Sequence, residues 1–375
     1  MRTQVITLYE RGKTKYQMAL HDGTSGLHNS ASWVYLAEDI QNISFLKGGE
    51  FIITTGLFVR SGVALSEFIR ALAMCSCSGI LLNVGPYLRE EDITPEISEF
   101  CDYNKIPLFT MPWEVHLVDI MQDFCGLFLS ESRQEEHLSA TFQSAIYHTP
   151  VPDGILRTFN QFGFATRADY QAIVIRNLQD TTQITSPFNS YGFKYHLFTH
   201  DNHHILIYNA SQKQLSLSAL LEIICFYDGI KAGVSDTAPS LADIGLSYRR
   251  ARFALDAADF WKRPYVCFDE LGLLQLLFSV PDHSLMQAVY KRRLGVLEKY
   301  DGEHGTEYLD TLRIFLLSDC NLLETSARMH THRNTVVYRV KKIKELLASS
   351  LDNSAVKFDL MMALYIREYL SISPQ

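Results

Sequence analysis

The chain of 375 residues has no CxxC pair, no Gly-rich phosphate loop ending in GK[ST], no internal repeat and no low-complexity tract. Its seven cysteines (Cys75, Cys77, Cys101, Cys125, Cys225, Cys267 and Cys320) are scattered and odd in number. That pattern excludes a disulfide scaffold and fits free thiols in a reducing cytoplasm. Residues 1–10 lack an apolar signal core. One charge-free run, Ala71 to Leu88, has 18 residues, the lower edge of a membrane span. It contains Ser76, Ser78, Gly79, Asn83, Gly85 and Pro86, so it reads as a helix end, a turn and a buried strand Ile80 to Val84. No membrane contact is expected. An excess of positive charge is also lacking: 34 Lys+Arg against 42 Asp+Glu give a net charge of −8. A protein coated by nucleic acid over its whole surface would be basic, so any such contact has to be local.

What is present is ordinary globular composition, 47% hydrophobic and 20% charged. At this length two or three domains are expected. Short apolar runs Phe51 to Thr54, Ile80 to Val84 and Ile106 to Met111 alternate with helical spacing over Val63 to Met74, over Pro95 to Asn104 (with Thr94 as N-cap) and from about Leu117. This βαβαβα order predicts an α/β domain with a parallel sheet over residues 1–130. The last helix keeps a 3–4 spacing up to Tyr147, with a charged middle. It reads either as a packed helix running into a solvated linker, residues 131–153, or as one member of a dimerising pair. Pro150 to Gly154 marks a boundary. Residues 154–271 read as an α+β domain: a helix Ile155 to Phe162, a strand Tyr170 to Arg176, a hairpin around His200 to His203, a helix Leu217 to Tyr227, a strand Ile230 to Val234 and a helix Leu241 to Ala258. Residues 272–375 read as all-α.

The charge is unevenly spread. Leu285 to Gln375 has 13 Lys+Arg and 11 Asp+Glu, a net of +2, which leaves 21 against 31, a net of −10, for the rest. Within it, Arg328 to Lys344 holds six Lys/Arg and no acid. A short helix is expected to start at Asn321, a break at His330-Thr331-His332, and a second helix at Arg333 running to about Leu347. At about 100° per residue Val336, Val340, Ile343 and Leu347 share one stripe that must face a core, and Asn334, Tyr338 and Lys341 lie opposite, with Lys342 beside them. Cations neutralise phosphates, and Asn and Arg make paired hydrogen bonds to base edges in the major groove. Residues 321–347 are therefore expected to form a helix-turn-helix whose second helix meets operator DNA, with a homodimer or higher homo-oligomer to supply a second half-site. The candidate contacts are Thr331, His332, Arg333, Asn334, Thr335, Tyr338, Arg339, Lys341 and Lys342.

The string His332-Arg-Asn-Thr335 with Tyr338-Arg339, Phe358-Asp359-Leu360 with Ala363-Leu364, and the small residue Ala327 in the first helix resemble the signature of the PucR/CdaR family of bacterial transcriptional regulators. Trp33 to Glu38, Leu46 to Gly56, and Ile106 to Phe109 leading to Pro112-Trp113 resemble the N-terminal domain of that family. The resemblance implies operator binding by the C-terminal domain and sensing of a small metabolite, such as a purine-degradation intermediate, by the N-terminal one. Ligands of open parallel sheets sit beyond the C-terminal strand ends. Here those ends offer Thr54, Thr55, Gly56, Asn83, Gly85, Trp113 and Glu114 as effector contacts, or simply as strand-ending turns.

The middle section resembles a degenerate GGDEF-like domain. A working cyclase needs glycines that admit nucleotide and paired carboxylates for Mg²⁺. The matching hairpin reads Thr199-His-Asp-Asn-His-His204, so no cyclase activity and no cofactor are expected. His196, His200, His203 and His204 alternate along a hairpin and point to opposite faces, so no metal site is expected either. The alternative function is a nucleotide-sensing or nucleotide-processing protein acting through this middle domain. A third reading is a scaffold whose basic helix binds an acidic protein.

Overall fold

A computed structural model describes residues 3–211, 216–226 and 229–372. Met1, Arg2, Tyr227 and residues 373–375, over which the expected elements or domains extend, lie outside the described residues. The chain divides into two compact units, Met1–Leu138 and Ser139–Gln375.

The first unit contains α1 (Val5–Lys15), β1 (Ala19–Asp22), β2 (Trp33–Leu36), β3 (Glu50–Thr54), α2 (Leu65–Met74), β4 (Gly79–Val84), α3 (Pro95–Tyr103), β5 (Leu108–Pro112) and the first part of α4 (Leu117–Ala145). The sheet order is β1-β5-β4-β3-β2. Strands β2 to β5 are parallel, as expected, but β1 pairs antiparallel with β5 at the edge. The expected βαβαβα order omitted α1, β1 and β2. The four-residue strand β1 is never fully buried, so it carries no apolar run to detect.

Alternation along the buried strands explains the two-sided burial. Ile52, Ile80, Leu82 and Leu108 face one layer with Phe68 and Leu72 of α2 and Ile97 and Cys101 of α3. Phe51, Ile53, Leu81, Phe109 and Met111 face the other, with Val5 and Leu8 of α1 and Ile120 and Phe124 of α4. A parallel sheet covered on both faces requires such continuous apolar runs. Thr94 stands at the N-cap position of α3, but its side chain makes no capping bond; Pro95 at the first helical position needs no N–H partner. α4 continues unbroken to Ala145 through the expected linker, and its charged middle is exposed.

The second unit holds the rest of α4, α5 (Asp153–Gln161), β6 (Tyr170–Arg176), α6 (Thr182–Ser190), β7 (Tyr195–His200), β8 (His203–Asn209), α7 (Leu217–Ile224), β9 (Lys231–Val234), α8 (Ile244–Phe260) and β10 (Tyr265–Cys267). Its sheet runs β10-β9-β6-β8-β7, antiparallel except for β10 on β9. The helix expected from Leu241 begins with a 3₁₀ turn, Leu241–Asp243, and turns α-helical only at Ile244. Six helices follow: α9 (Leu273–Phe278), α10 (His283–His304), α11 (Tyr308–Leu317), α12 (Leu322–Arg328), α13 (Arg333–Leu346) and α14 (Ser354–Ile372). Their core includes Leu294, Leu312, Val336, Ile343 and Ala363, and it is continuous with Phe253, Ala254 and Ala257 of α8.

Candidate nucleic-acid interface

The short helix α12 starts where Asn321 Oδ1 accepts the N–H groups of Leu323 and Glu324 at 2.9 and 3.2 Å. Those are two of the donors that a helix start leaves unpaired. Thr325 and Ser326 turn inward and donate back to the carbonyls of Asn321 and Leu323. Ala327, singled out as the small residue of this helix, is exposed, so the buried small side chains are its two hydroxylated neighbours. The break follows at His330, with φ of 49°.

α13 begins at Arg333, with His332 as its cap: the ring Nδ1 accepts the N–H of Asn334 at 3.2 Å. Val336, Val340 and Ile343 are buried in the helical core, and Leu347, the residue after the helix, packs against it. Arg333, Asn334, Thr335, Tyr338 and Lys341 are exposed and Thr331 is partly so. Val337, unremarked in the sequence, shares the face and is 40% exposed. Among the described residues, the side chains of Arg333 and Lys341 have no ion pair or hydrogen bond.

Two other candidates are engaged with the scaffold. Arg339 bonds Glu307 Oε2 at 3.2 Å and Thr311 Oγ1 at 3.3 Å. Lys342 lies 3.4 Å from Glu345, and its ammonium is 6.0 Å from the centroid of the Tyr300 ring. Sequence reasoning missed Glu307 and Thr311, because nothing local links them to Arg339, 32 and 28 residues away. The arrangement gives a short capped helix, a tight break and a second helix with one face in the core and one open face carrying amide, phenol and uncompensated cations. Such a face is shaped for the edges and phosphates of a duplex groove.

Residues 308–366 match the PucR C-terminal helix-turn-helix domain, residues 8–127 the purine catabolism regulatory protein-like family and residues 148–257 the GGDEF-like domain. The chain belongs to the PucR family. Curated relatives, all from Bacillus subtilis strain 168, are the DNA-binding transcriptional activator AdeR, 23% identical over 64% of this chain and 62% of that protein; the proline-responsive transcriptional activator PutR, 28% identical over 36% and 34%; and the purine catabolism regulatory protein, 27% identical over 49% and 36%. The chain thus spans less than two thirds of the length of each of these relatives.

In the family's N-terminal domain, the strand-end residues fall into three places. Around Thr54, Thr55 and Gly56, the Glu38 carboxylate accepts the N–H groups of Thr55 and Leu57 at 2.7 and 3.0 Å, and Gly56 donates to the Thr54 hydroxyl. Gly56 has φ of +82°, and a Cβ there would stand 2.2 Å from Leu88 Cγ. Asn83 is buried and donates to the Pro112 carbonyl at 3.0 Å. Gly85 lies under Trp113, whose ring would stand 2.6 Å from a Cβ. Both glycines therefore admit the chain's own side chains. Trp113 is 42% exposed and meets Tyr87 edge-on at 6.1 Å, and the Arg60 guanidinium lies 5.7 Å from the Tyr87 ring centroid. Glu114 is apart from both groups, in an open groove with Arg11, Lys15 and Asp119. Glu38, Tyr87 and Arg60 were not anticipated at this end of the sheet; only the position of Glu38 after the first parallel strand could have flagged it.

In the GGDEF-like domain the hairpin closes through Asp201-Asn202, with φ of 47° and 59°, the left-handed pair a two-residue turn needs. The histidines part company. His196 bonds Ser139 and His200 bonds Tyr147. His203 lies against Arg176 and Arg252, and burial followed by the Arg252 charge holds its pKa below the ordinary value. Arg176 and Lys231 pair with Asp259, and Arg252 with Asp256. The carboxylates of this cluster, Asp256 and Asp259, are thus engaged by arginine and lysine beside the hairpin, where a cyclase would need paired carboxylates for Mg²⁺. It is a GGDEF-like domain in a chain whose curated relatives are named as transcriptional regulators. Among the described residues no helix is long and apolar enough to cross a membrane.

Proposed function

We propose that this protein is a ligand-responsive transcription regulator that binds operator DNA through α13. The observation that carries the reading is the open face of that helix, with Arg333, Asn334, Tyr338 and Lys341 presented together on a capped helix pair in an otherwise acidic chain. Residues 272–375 supply the DNA contact, residues 154–271 dimerisation or signal relay, and residues 1–130 the effector site, in the cytoplasm and as a homodimer or higher homo-oligomer. A helix this short gains area and symmetry by pairing with a second half-site. The names of the relatives point to catabolism of purines or related nitrogen and carbon sources as the regulated process. The proline-responsive relative also supports a small metabolite as effector.

The experiment is selection of double-stranded oligonucleotides from a random-sequence pool by the full chain, followed by titration of the enriched duplex. Arg333→Ala or Asn334→Ala should weaken binding by roughly 1–3 kcal/mol where the residue reads a base. Failure of the wild-type chain to enrich any duplex would overturn the reading. For the effector, purine-degradation intermediates and organic acids are screened by thermal shift on the full chain. A shift abolished in a Trp113→Ala variant supports the strand-end site, and a shift unaffected by it places the ligand elsewhere.

A further inference from the structure

The six cations of Arg328 to Lys344 are not equivalent. Four have a carboxylate within reach: Arg328 with Glu324 at 2.6 Å, Arg339 with Glu307 at 3.2 Å, Lys342 with Glu345 at 3.4 Å and Lys344 with Asp352 at 3.9 Å. Arg333 and Lys341 have none among the described residues. Three of the four pairs join residues three to eight positions apart on partly or largely exposed surface, where an ion pair is weak and exchanges readily with another anion. The fourth differs. Arg339 is only 25% exposed, and although Glu307 is 67% exposed, the same nitrogen that meets it also donates to the hydroxyl of Thr311, which is fully buried. That hydroxyl in turn donates to the Glu307 carbonyl at 2.7 Å. The frame it engages is itself fixed, because Asp301 accepts the N–H groups of Tyr308 and Leu309 at the start of α11.

Resting on the DNA-binding reading above, we infer that Arg339 is a positioning residue that locks α13 to α11 through Glu307 and Thr311, and that the uncompensated Arg333 and Lys341 neutralise DNA phosphates. A guanidinium held at two points by one neighbouring helix sets where the outward face of α13 lies. Both bonds leave from one terminal nitrogen, so any phosphate contact by Arg339 would have to use its remaining N–H donors from this fixed position. Glu345 shares the outward face with Asn334, Tyr338 and Lys341 but sits one turn beyond Lys341, so the charge that meets DNA ends there.

The test measures affinity of the full chain for the enriched duplex across a range of salt concentrations. Each phosphate neutralised contributes about 0.9 to the slope of log K against log salt. Arg333→Ala and Lys341→Ala should each reduce that slope by about 0.9 per bound subunit. Arg339→Ala and Glu307→Ala should each weaken binding about 10-fold with the slope unchanged, and the double variant should be no weaker than either single one, as expected of residues in one network. Thr311→Val, isosteric and without the acceptor, should weaken binding in the same direction, which keeps the inference testable if Glu307→Ala fails to fold. A reduced slope in Arg339→Ala, or tighter binding in Glu307→Ala, would assign Arg339 to a phosphate and overturn the inference while leaving DNA binding intact. No duplex retained by the wild-type chain would instead overturn the DNA-binding reading itself, and this inference with it.

Discussion

The indole N–H of Trp261 donates to Oε1 of Glu368 at 2.9 Å, joining the end of α8 to the last helix of the chain. Glu368 is 11% exposed and its carboxylate also receives Arg313. Phe253 of α8 packs on Tyr369 beside it, with ring centroids 5.3 Å apart. The GGDEF-like domain and the helix-turn-helix region therefore share one apolar core bridged by one polar node. A shift of α8 cannot leave α14 in place without exposing that core or stranding a buried carboxylate. Removing one partner of a buried hydrogen bond costs about 1–3 kcal/mol. Glu368→Ala should lose that much in urea unfolding followed by far-UV circular dichroism. Glu368→Gln keeps an acceptor for the indole and gives up only a half-exposed ion pair, so its loss should stay below about 1 kcal/mol. Equal losses in the two variants would show that the Trp261 bond contributes nothing.

Gly85 marks how closely Trp113 approaches the sheet end. A methyl group at this position would stand 2.6 Å from the indole ring, too close for Trp113 to keep its place. Gly85→Ala should displace Trp113, lower stability by about 1–3 kcal/mol, as overpacking does, and shift the tryptophan emission. Gly154, in the first turn of α5, has open space where a Cβ would go. Gly154→Ala should be neutral or stabilise by up to about 1 kcal/mol. Similar thermal midpoints for the two variants would contradict the geometry at Gly85.

Much of this architecture was legible because its signals are local. The runs at Phe51, Ile80 and Leu108 are apolar on both faces, which only a covered sheet tolerates. The Val336, Val340, Ile343 stripe, the cap at Asn321 and the strand Tyr170–Arg176 lie where the sequence pattern puts them. What escaped is what depends on distant partners. β1 and β2 carry too few buried residues to register. Arg339 reads as one more cation until Glu307 arrives from α11, and Glu38 as a loop acid until β3 and the turn after it present their N–H groups. His332 falls between the two cases: its position before Arg333 is that of a cap, yet histidine is an uncommon capping residue, so in the sequence it reads as part of the signature string and a DNA contact.

In the first unit, Asp123 is held by α1. Arg11 donates to both of its carboxylate oxygens at 2.7 Å and Lys15 stands 3.3 Å away. These contacts, the Arg11 hydrogen bonds foremost, depress the Asp123 pKa to about 2. A carboxylate whose pKa is lower folded than unfolded adds stability that is complete above the unfolded value near 4 and is lost as pH falls from there toward 2. Both cations are half exposed, which reduces the contribution to about 1–2 kcal/mol. Arg11→Ala, which leaves Lys15 in place, should lose most of that amount at pH 7 and show a smaller further loss between pH 4 and 2 than the wild type does. Parallel stability–pH curves for the two proteins would rule out Asp123 as the source.

His332 and Asn321 offer a way to separate capping from contact at the helix-turn-helix. Asn321 accepts two N–H groups at the start of α12, and a lost N-cap costs about 1 kcal/mol. Asn321→Ala should therefore destabilise the chain by about that amount, and Asn321→Asp should restore it. His332 accepts one N–H at the start of α13 and is also exposed toward the open face. A serine there caps at least as well but lacks the ring and its reach. If His332 matters as a cap, His332→Ser should bind the selected duplex as the wild type does, while His332→Ala binds more weakly and unfolds at lower urea. If it matters as a contact, both substitutions should weaken binding alike, with stability lost only in the alanine variant. Titrating both against one duplex distinguishes the two roles, because a cap acts through the helix start that positions Arg333 and Asn334, whereas a contact is lost with the ring.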